Sequence, residues 1–138
     1  MGHIIRVSHR GGDRFEIAVR DHVWRVDQPI GDGGDDTAAT PTEMFVASLV
    51  SCVAFFTRRY LERHGLDTEG LAVSAEFTMA PRPSRVGDIA INLEIPPSVP
   101  EDRREALLAV ASHCTVHNSL ADPPQVRIAY ATPVASLD

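Results

Sequence analysis

The chain has 138 residues, of which 43% are hydrophobic and 23% charged, and its formal net charge at pH 7 is −6. This length and composition predict a single domain, residues 1–138, that is large enough to bury a hydrophobic core. The charge argues against nucleic acid or an anionic membrane as a partner, because both attract lysine and arginine to phosphate groups. The N-terminus lacks a signal-peptide pattern, so we expect a cytoplasmic protein.

Residues 4–26 predict an antiparallel meander of three short strands. Hydrophobic and β-branched residues are concentrated in three segments, which is typical of strands. These segments are Ile4–Val7, Phe15–Val19 and Trp24–Val26. The breaks at Gly11–Asp13 and Arg20–Asp21 are short enough for hairpin turns. The glycine- and aspartate-rich segment 28–39 that follows predicts a loop.

The stretch Thr40–His64 predicts one long helix around which the rest of the chain is organised. Thr40 and Glu43 have the spacing of a capping box, and Pro41 suits the first helical position. Gly65 provides a stop signal at the other end. Both boundaries of this helix are therefore marked in the sequence.

Segment 44–56 makes this helix apolar on nearly all sides, which is typical of a helix at the centre of a fold. A membrane span needs about 20 apolar residues. This segment has thirteen residues, so we expect no membrane insertion. Cys52 lies in the middle of the predicted buried stripe. The other members of that stripe are Phe45, Leu49 and Phe56.

Two longer segments after the helix predict a β-hairpin. Apolar residues alternate with other residues from Leu71 to Met79 and again from Ile89 to Ile95. Such alternation places one face of each strand against a core. The proline-containing segment 80–87 between them predicts a flexible tip outside the strands.

A second helix is predicted from about Ser98 to His113. Ser98 and Glu101 have capping-box spacing, and Pro100 falls in the first turn. Apolar residues at helical spacing end at Cys114, so each predicted helix turns one cysteine towards the core.

The last part of the chain predicts a further helical turn at 115–120 and a final strand at Val126–Tyr130. The total is about six strands and two main helices without regular strand–helix alternation. The predicted class is therefore α+β.

Cys52 and Cys114 are the only cysteines, and in a cytoplasmic chain we expect thiols rather than a permanent disulfide. The simplest interpretation is that both are buried and inert. If tertiary structure brings them together, they could instead form a redox pair. A thiolate at one would attack a peroxide oxygen and become a sulfenic acid, which the other would resolve as a disulfide.

Two further interpretations of the cysteines rank below the redox pair. A metal site could combine Cys114 and His117 with His113 and Cys52, but the set lacks a second close ligand pair. A Cys–His hydrolase would need His117 or His113 to activate Cys52. No nucleophile elbow accompanies Cys52, which lies in mid-helix rather than at a helix N-terminus.

The redox interpretation also requires a cation, because a buried thiolate is unstable without one. Arg14, which follows the Gly11–Gly12 turn, is the candidate. Glu43 could orient that arginine or serve only as the capping-box partner of Thr40. The rival arginines are Arg10, Arg20 and Arg25.

Two motifs resemble those of the OsmC/Ohr family. They are Ala38-Ala39-Thr40-Pro41-Thr42-Glu43-Met44-Phe45-Val46-Ala47-Ser48-Leu49-Val50-Ser51-Cys52 and Ser112-His113-Cys114-Thr115-Val116-His117-Asn118-Ser119-Leu120. Asp21-His22, Asp27-Gln28-Pro29 and Gly33-Gly34 resemble the family's lead-in to its first cysteine. Glu43 stands two positions after Pro41, as in the broader OsmC-like group.

The resemblance implies an OsmC-like α+β fold with antiparallel sheets around two central helices, in an intertwined homodimer with active sites at the interface. It also implies a thiol peroxidase for organic hydroperoxides, with Cys52 peroxidatic and Cys114 resolving. An arginine from the early strands, matched here by Arg14, and Glu43 would complete the site.

No cofactor or metal is expected, and the reductant would be an unidentified small thiol, thioredoxin-like protein or lipoyl protein. The alternative is a non-catalytic protein that binds a small apolar ligand on the same scaffold.

Overall fold

The computed structural model describes residues 2–131. These residues form five strands and three α-helices, together with short 3₁₀ turns at Ile30–Asp32 and Glu101–Arg103. In chain order the elements are β1 (Arg6–His9), β2 (Phe15–Val19), β3 (His22–Val26), α1 (Pro41–Arg63), β4 (Ala72–Ala80), β5 (Arg85–Glu94), α2 (Arg104–Ala111) and α3 (Thr115–Ala121). The predicted α+β class with antiparallel sheets is confirmed.

The N-terminal meander forms as predicted, in the order β1-β2-β3. Val7 lies opposite Ile17, which lies opposite Trp24, so these side chains share one face of the sheet. Ile4 and Ile5 were expected in the first strand but precede it. The strands of the meander contact mainly one another, and much of their apolar face is exposed.

Asp27 fixes the loop between the meander and α1. Its carboxylate is inaccessible to solvent and accepts hydrogen bonds from the backbone N–H groups of Gln28 and Thr37 and from the Thr37 hydroxyl. The two bonds from Thr37 are 2.9 and 2.6 Å long. They join the two ends of the loop. Gly34 passes so close to the Gln28 carbonyl oxygen that a β-carbon there would collide with it.

Helix α1 begins and ends at the predicted signals. The Thr40 hydroxyl accepts from the Glu43 N–H at 3.0 Å, and the Glu43 carboxylate accepts from the Thr40 N–H at 2.8 Å. At the other end Gly65 has φ of 65°, and the N–H groups of Gly65 and Leu66 bond to the carbonyls of Glu62 and Leu61. Both caps of α1 are therefore satisfied by local residues.

The hairpin β4–β5 and the helices α2 and α3 pack on α1. By length and mean hydropathy, 1.3 over its most apolar 18-residue window, α1 would be able to cross a membrane. Its buried stripe contacts these other elements, as the central helix of a folded core does. The stripe consists of Val46, Leu49, Val53, Thr57, Tyr60 and Leu61.

The β4–β5 hairpin is longer than predicted. Its strands include Ala80 and Arg85, which leaves only residues 81–84 as the tip. The prolines fall within this short turn and so do not interrupt the strand pairing. Gly87 is an extra residue at a register shift, where a β-carbon would lie 2.7 Å from the Ala80 β-carbon.

The second helix differs from its prediction at both ends. Ser98 does not cap it; the Ser98 hydroxyl instead donates to Asp67, and the 3₁₀ turn starts at Glu101. Val99 precedes Pro100, and a residue before proline is disfavoured in helical conformation. At the C-terminal end α2 stops at Ala111, and Cys114 has an extended backbone as the N-cap of α3.

The predicted strand at Val126–Tyr130 is wrong for the described structure. The segment pairs with no strand among residues 2–131, and its alternate apolar side chains are exposed, Ile128 at 94%. An alternating sequence pattern indicates that one face of a segment is apolar. To form a strand, the segment also needs the free edge of a sheet with which its backbone can form hydrogen bonds.

Replacing Asp27 by asparagine should make the stability of the fold less dependent on pH. The hydrogen bonds from Thr37, followed by those from Gln28 and Asp35, lower the pKa of Asp27 from 3.8 to about 2. The charged form therefore stabilises the fold above pH 4, and this stabilisation disappears as the pH falls through about 2.

Urea unfolding at several pH values measures this effect. Asp27→Asn should be less stable than the wild type at pH 6, and the difference should shrink towards pH 2. A constant difference across this range would contradict the role assigned to the Asp27 carboxylate.

Candidate functional site

The fold brings the two cysteines together although they are 62 positions apart in the sequence. Cys52 comes from the middle of α1 and Cys114 from the turn before α3. Both belong to one hydrophobic cluster with Leu49, Val53 and Ala111. Cys114 is inaccessible to solvent and Cys52 is partly accessible, and both are free thiols.

Burial raises the pKa of the Cys114 thiol, and the adjoining Cys52 thiol raises it further. The backbone N–H of His117 acts in the opposite direction, because it donates to the Cys114 sulfur at 3.3 Å. Cys114 therefore holds its proton more firmly than an exposed cysteine does. Of the two, Cys52 is the one that a solute can reach.

A cavity of about 490 Å³ lies beside this pair. Leu49 of the cysteine cluster and His117, whose backbone bonds to Cys114, both line it, as does the exposed ring of Phe45. Neither cysteine lines it. Phe45, which was expected in the buried stripe of α1, is therefore exposed and forms part of a mainly apolar cavity with Leu49. The remaining wall comes from Val86, Gly87, Asp88, Ile89 and Ile91 of the hairpin and from Leu120 and Ala121 of α3.

Each candidate arginine except Arg20 forms an ion pair within the N-terminal part of the chain. Arg14 pairs with Asp35 of the loop before α1. Arg10 and Arg25 both pair with Glu16, at 3.0 and 3.6 Å. Between residues 2 and 131, no described ion pair or hydrogen bond joins an arginine to Cys52. The role of Arg14 at the thiol therefore stays a prediction.

Asp35 was not identified from the sequence as the partner of Arg14. The available signal was the acidic character of segment 28–39, which does not say which carboxylate faces an arginine. Glu43 uses its carboxylate in the capping box, as one of its two predicted roles required. Its second role, orienting the arginine, is not visible in its described contacts.

The described contacts of the histidines near Cys114 form neither the metal site nor the Cys–His hydrolase site considered from the sequence. The His113 Nδ1 lies 2.7 Å from the Ala109 carbonyl oxygen of the preceding helix. The described link of His117 to a cysteine is through its backbone N–H. The described residues contain no group of three or more histidine, cysteine or acidic side chains arranged to hold a metal ion.

Comparison with solved structures shows that the fold is shared with several bacterial proteins. One is an osmotic stress induced and detoxification response protein from Psychrobacter arcticus, 21% identical, with a TM-score of 0.78 over 83% of this chain and 85% of that one. Another is an organic hydroperoxide resistance protein OsmC from Legionella pneumophila, 20% identical, with a TM-score of 0.63 over 87% and 89% of the two chains.

An OsmC-like protein of unknown function from Vibrio cholerae, 12% identical, has a TM-score of 0.68 over 86% of this chain and 93% of that one. At these identities the likeness concerns the fold. No curated protein matches the sequence. The family model described as OsmC-like protein matches residues 33–129, which include α1 and both cysteines. The chain therefore belongs to the OsmC-like protein family.

Proposed function

We propose that this protein is a thiol-dependent peroxidase that reduces organic hydroperoxides through the pair Cys52 and Cys114. The observation that carries the proposal is that these two thiols adjoin in one cluster despite their separation in sequence. Family membership supports it, since similar folds include organic hydroperoxide resistance proteins. We further propose that it works in the cytoplasm without a metal or cofactor.

Cys52 is the proposed attacking residue because it is the more accessible thiol. Its thiolate attacks one peroxide oxygen, so that a sulfur–oxygen bond forms, the oxygen–oxygen bond breaks and an alcohol leaves. Cys114 then attacks the sulfenic sulfur, a disulfide forms and water leaves. A thiol or lipoyl reductant supplies two electrons and two protons to restore both cysteines.

Burial suits Cys114 for the resolving step. Its raised pKa keeps it protonated and unreactive towards peroxide in the resting state. Its contact with Cys52 places it next to the sulfenic acid as soon as that group forms. The two cysteines thus differ in accessibility in the direction that the proposed division of roles requires.

The apolar cavity supports an organic substrate rather than hydrogen peroxide. Leu49 is one helical turn from Cys52 and lines the cavity together with Phe45. The alkyl or aryl group of a substrate would bury its apolar surface against these walls, which favours the binding of bulky hydroperoxides.

A homodimer is also part of the proposal. The meander exposes Val7, Phe15 and Trp24 on one face, and α1 exposes Phe45 and Phe55. Apolar surface of this extent is typical of a face that another protein covers. A second copy would provide that cover and could bring the meander, with Arg14, towards a thiol pair.

The second candidate function is non-catalytic binding of a small apolar ligand in the same cavity. It is favoured by the finding that neither cysteine lines the cavity. The two functions differ in whether the thiols react, so treatment with a hydroperoxide distinguishes them.

Treatment of the reduced protein with a few equivalents of cumene hydroperoxide should consume both thiols within seconds. The intact mass should fall by two hydrogen atoms as the disulfide forms. Thiol titration and mass spectrometry measure this. Cys52→Ser should abolish the reaction. Cys114→Ser should leave a single oxidation at Cys52 that stalls or proceeds to the sulfinic acid.

Unchanged thiols in the wild type would overturn the peroxidase. If Cys52→Ser still binds an apolar ligand with wild-type affinity and no turnover is found, the binding function is the one that survives.

Replacing Arg14 by glutamine should slow the oxidation of Cys52 by roughly tenfold, because the thiolate loses its cation. Stopped-flow measurement of single-turnover oxidation gives the rate. The matched control is Arg6→Gln, which removes an exposed meander arginine that is not among the candidates. If Cys52 were oxidised at the same rate in both variants, Arg14 would not be part of the site.

Glu43→Gln in the same assay separates the two roles of Glu43. Glutamine preserves a capping box, so thermal stability should change little. A fall in rate without a fall in stability would assign Glu43 to the arginine, and an unchanged rate would leave it as a cap.

Sedimentation equilibrium should give the mass of two chains for the wild type. Trp24→Glu places a charge on the exposed apolar sheet face and should shift the equilibrium towards one chain. Val23→Glu is the control, because Val23 lies on the opposite face of the same strand. A wild-type mass of one chain would contradict the homodimer.

A further inference from the structure

A second cavity, of about 280 Å³, lies at the C-terminal end of α1. The last residue of α1, Arg63, is about 16 Å along the helix axis from Cys52, and neither cysteine lines this cavity. Its walls combine aromatic and basic side chains. They are Phe56, Arg59, Tyr60, Arg63 and His64, with Val110 of α2.

The arginines of this region have no acidic partner in the part of the chain that the structure describes. Arg59, Arg63 and the neighbouring Arg103 form no salt bridge there, whereas Arg58 pairs with Glu62 at 2.7 Å. In a chain with a net charge of −6, two such arginines in the wall of one cavity, with a third in contact with its His64, are a local exception. Their positive potential would attract an anion.

The helix dipole explains only part of this cluster. Basic residues in the last turn of a helix interact favourably with its carbonyl ends, which accounts for Arg63. Arg59 lies one turn earlier, and like charges four residues apart destabilise a helix slightly. Arg103 comes from a different element, the 3₁₀ turn before α2. The helix dipole therefore accounts for Arg63 but not for Arg59, the second arginine that lines the cavity.

His64 adds a hydrogen-bond donor of defined position. Arg103 Nη1 lies 3.3 Å from His64 Nδ1, and because arginine can only donate, this hydrogen bond uses Nδ1 as the acceptor and leaves Nε2 as the donor of the ring. The ring also packs on Tyr60 with the ring centroids 4.3 Å apart. His64 lines the cavity, so we expect its Nε2–H to reach an acceptor there.

The aromatic walls of the cavity suit a ligand that has an apolar part. Tyr60 is 92% buried, with only 8% of its surface exposed, and Phe56 is partly buried, so both offer apolar contact. Arg59 lies over the Phe55 ring at 5.2 Å, which limits the freedom of its guanidinium group. A planar guanidinium held in this way suits bidentate bonding to a carboxylate.

We propose that this cavity binds a small organic carboxylate that carries a single aromatic ring or a short alkyl chain. The carboxylate would accept from Arg59, Arg63 and His64, and the apolar part would lie against Phe56 and Tyr60. The cavity volume of about 280 Å³ is close to the smallest volumes of small-molecule sites, which fits a ligand with one ring or a short chain. This site is independent of the thiol chemistry proposed above.

The test is titration of the reduced full-length protein with benzoate and, in parallel, with benzamide, its neutral analogue of the same shape. Isothermal calorimetry gives the affinity, and the ring resonances of His64, assigned with His64→Gln, report the location. Benzoate should bind at least tenfold more tightly than benzamide. It should also shift the His64 resonances.

Arg63→Gln should weaken benzoate binding by on the order of tenfold. The matched control is Arg58→Gln, which removes an arginine of the same helix that does not line the cavity. Cys52→Ser should bind benzoate like the wild type, which separates this site from the thiol pair. Equal affinity for benzamide, equal losses in the two arginine variants, or unmoved His64 resonances would each overturn the proposal.

Discussion

Burial of one face of α1 is the constraint on which the rest of the structure depends. Leu49, Val53 and Leu61 lose nearly all their accessible surface to the hairpin and the two short helices. Full burial of such a side chain contributes about 1.5–3 kcal/mol. The hairpin, α2 and α3 have α1 as their common surface. The contact between Cys52 and Cys114 is a consequence of this packing, because each cysteine occupies a position within it.

Both ends of α1 were predictable to within one residue because the interactions that limit the helix are local. The capping box of Thr40 and Glu43 and the left-handed Gly65 involve only near neighbours in the chain. The meander and the hairpin were also predictable, since the alternation in Phe15–Val19 and in β4 places the apolar side chains of each strand on one face of a sheet. The OsmC-like fold followed from the cysteine motifs of the chain.

The remaining features depend on partners that are distant in sequence or not visible in a local pattern. The helical spacing up to Cys114 fitted one helix, but the same spacing arises when a tight turn joins α2 to α3. The alternation in Val126–Tyr130 could not reveal that the described chain offers it no strand to pair with. The choice of Asp35 as the partner of Arg14 is set by the path of the loop that Asp27 holds.

The N-cap position of Cys114 connects the oxidation state of the protein to the start of a helix. The same sulfur that accepts a hydrogen bond from His117 would become part of a disulfide in the proposed cycle. In a disulfide a second covalent bond fixes the position of this sulfur, so it can adjust less to the His117 N–H than the free thiol can and is a poorer cap. Helix α3 would therefore be held more firmly in the reduced protein. Helix α3 supplies part of the wall of the cavity of about 490 Å³ beside the cysteines. Each turnover would therefore change the rigidity of that wall.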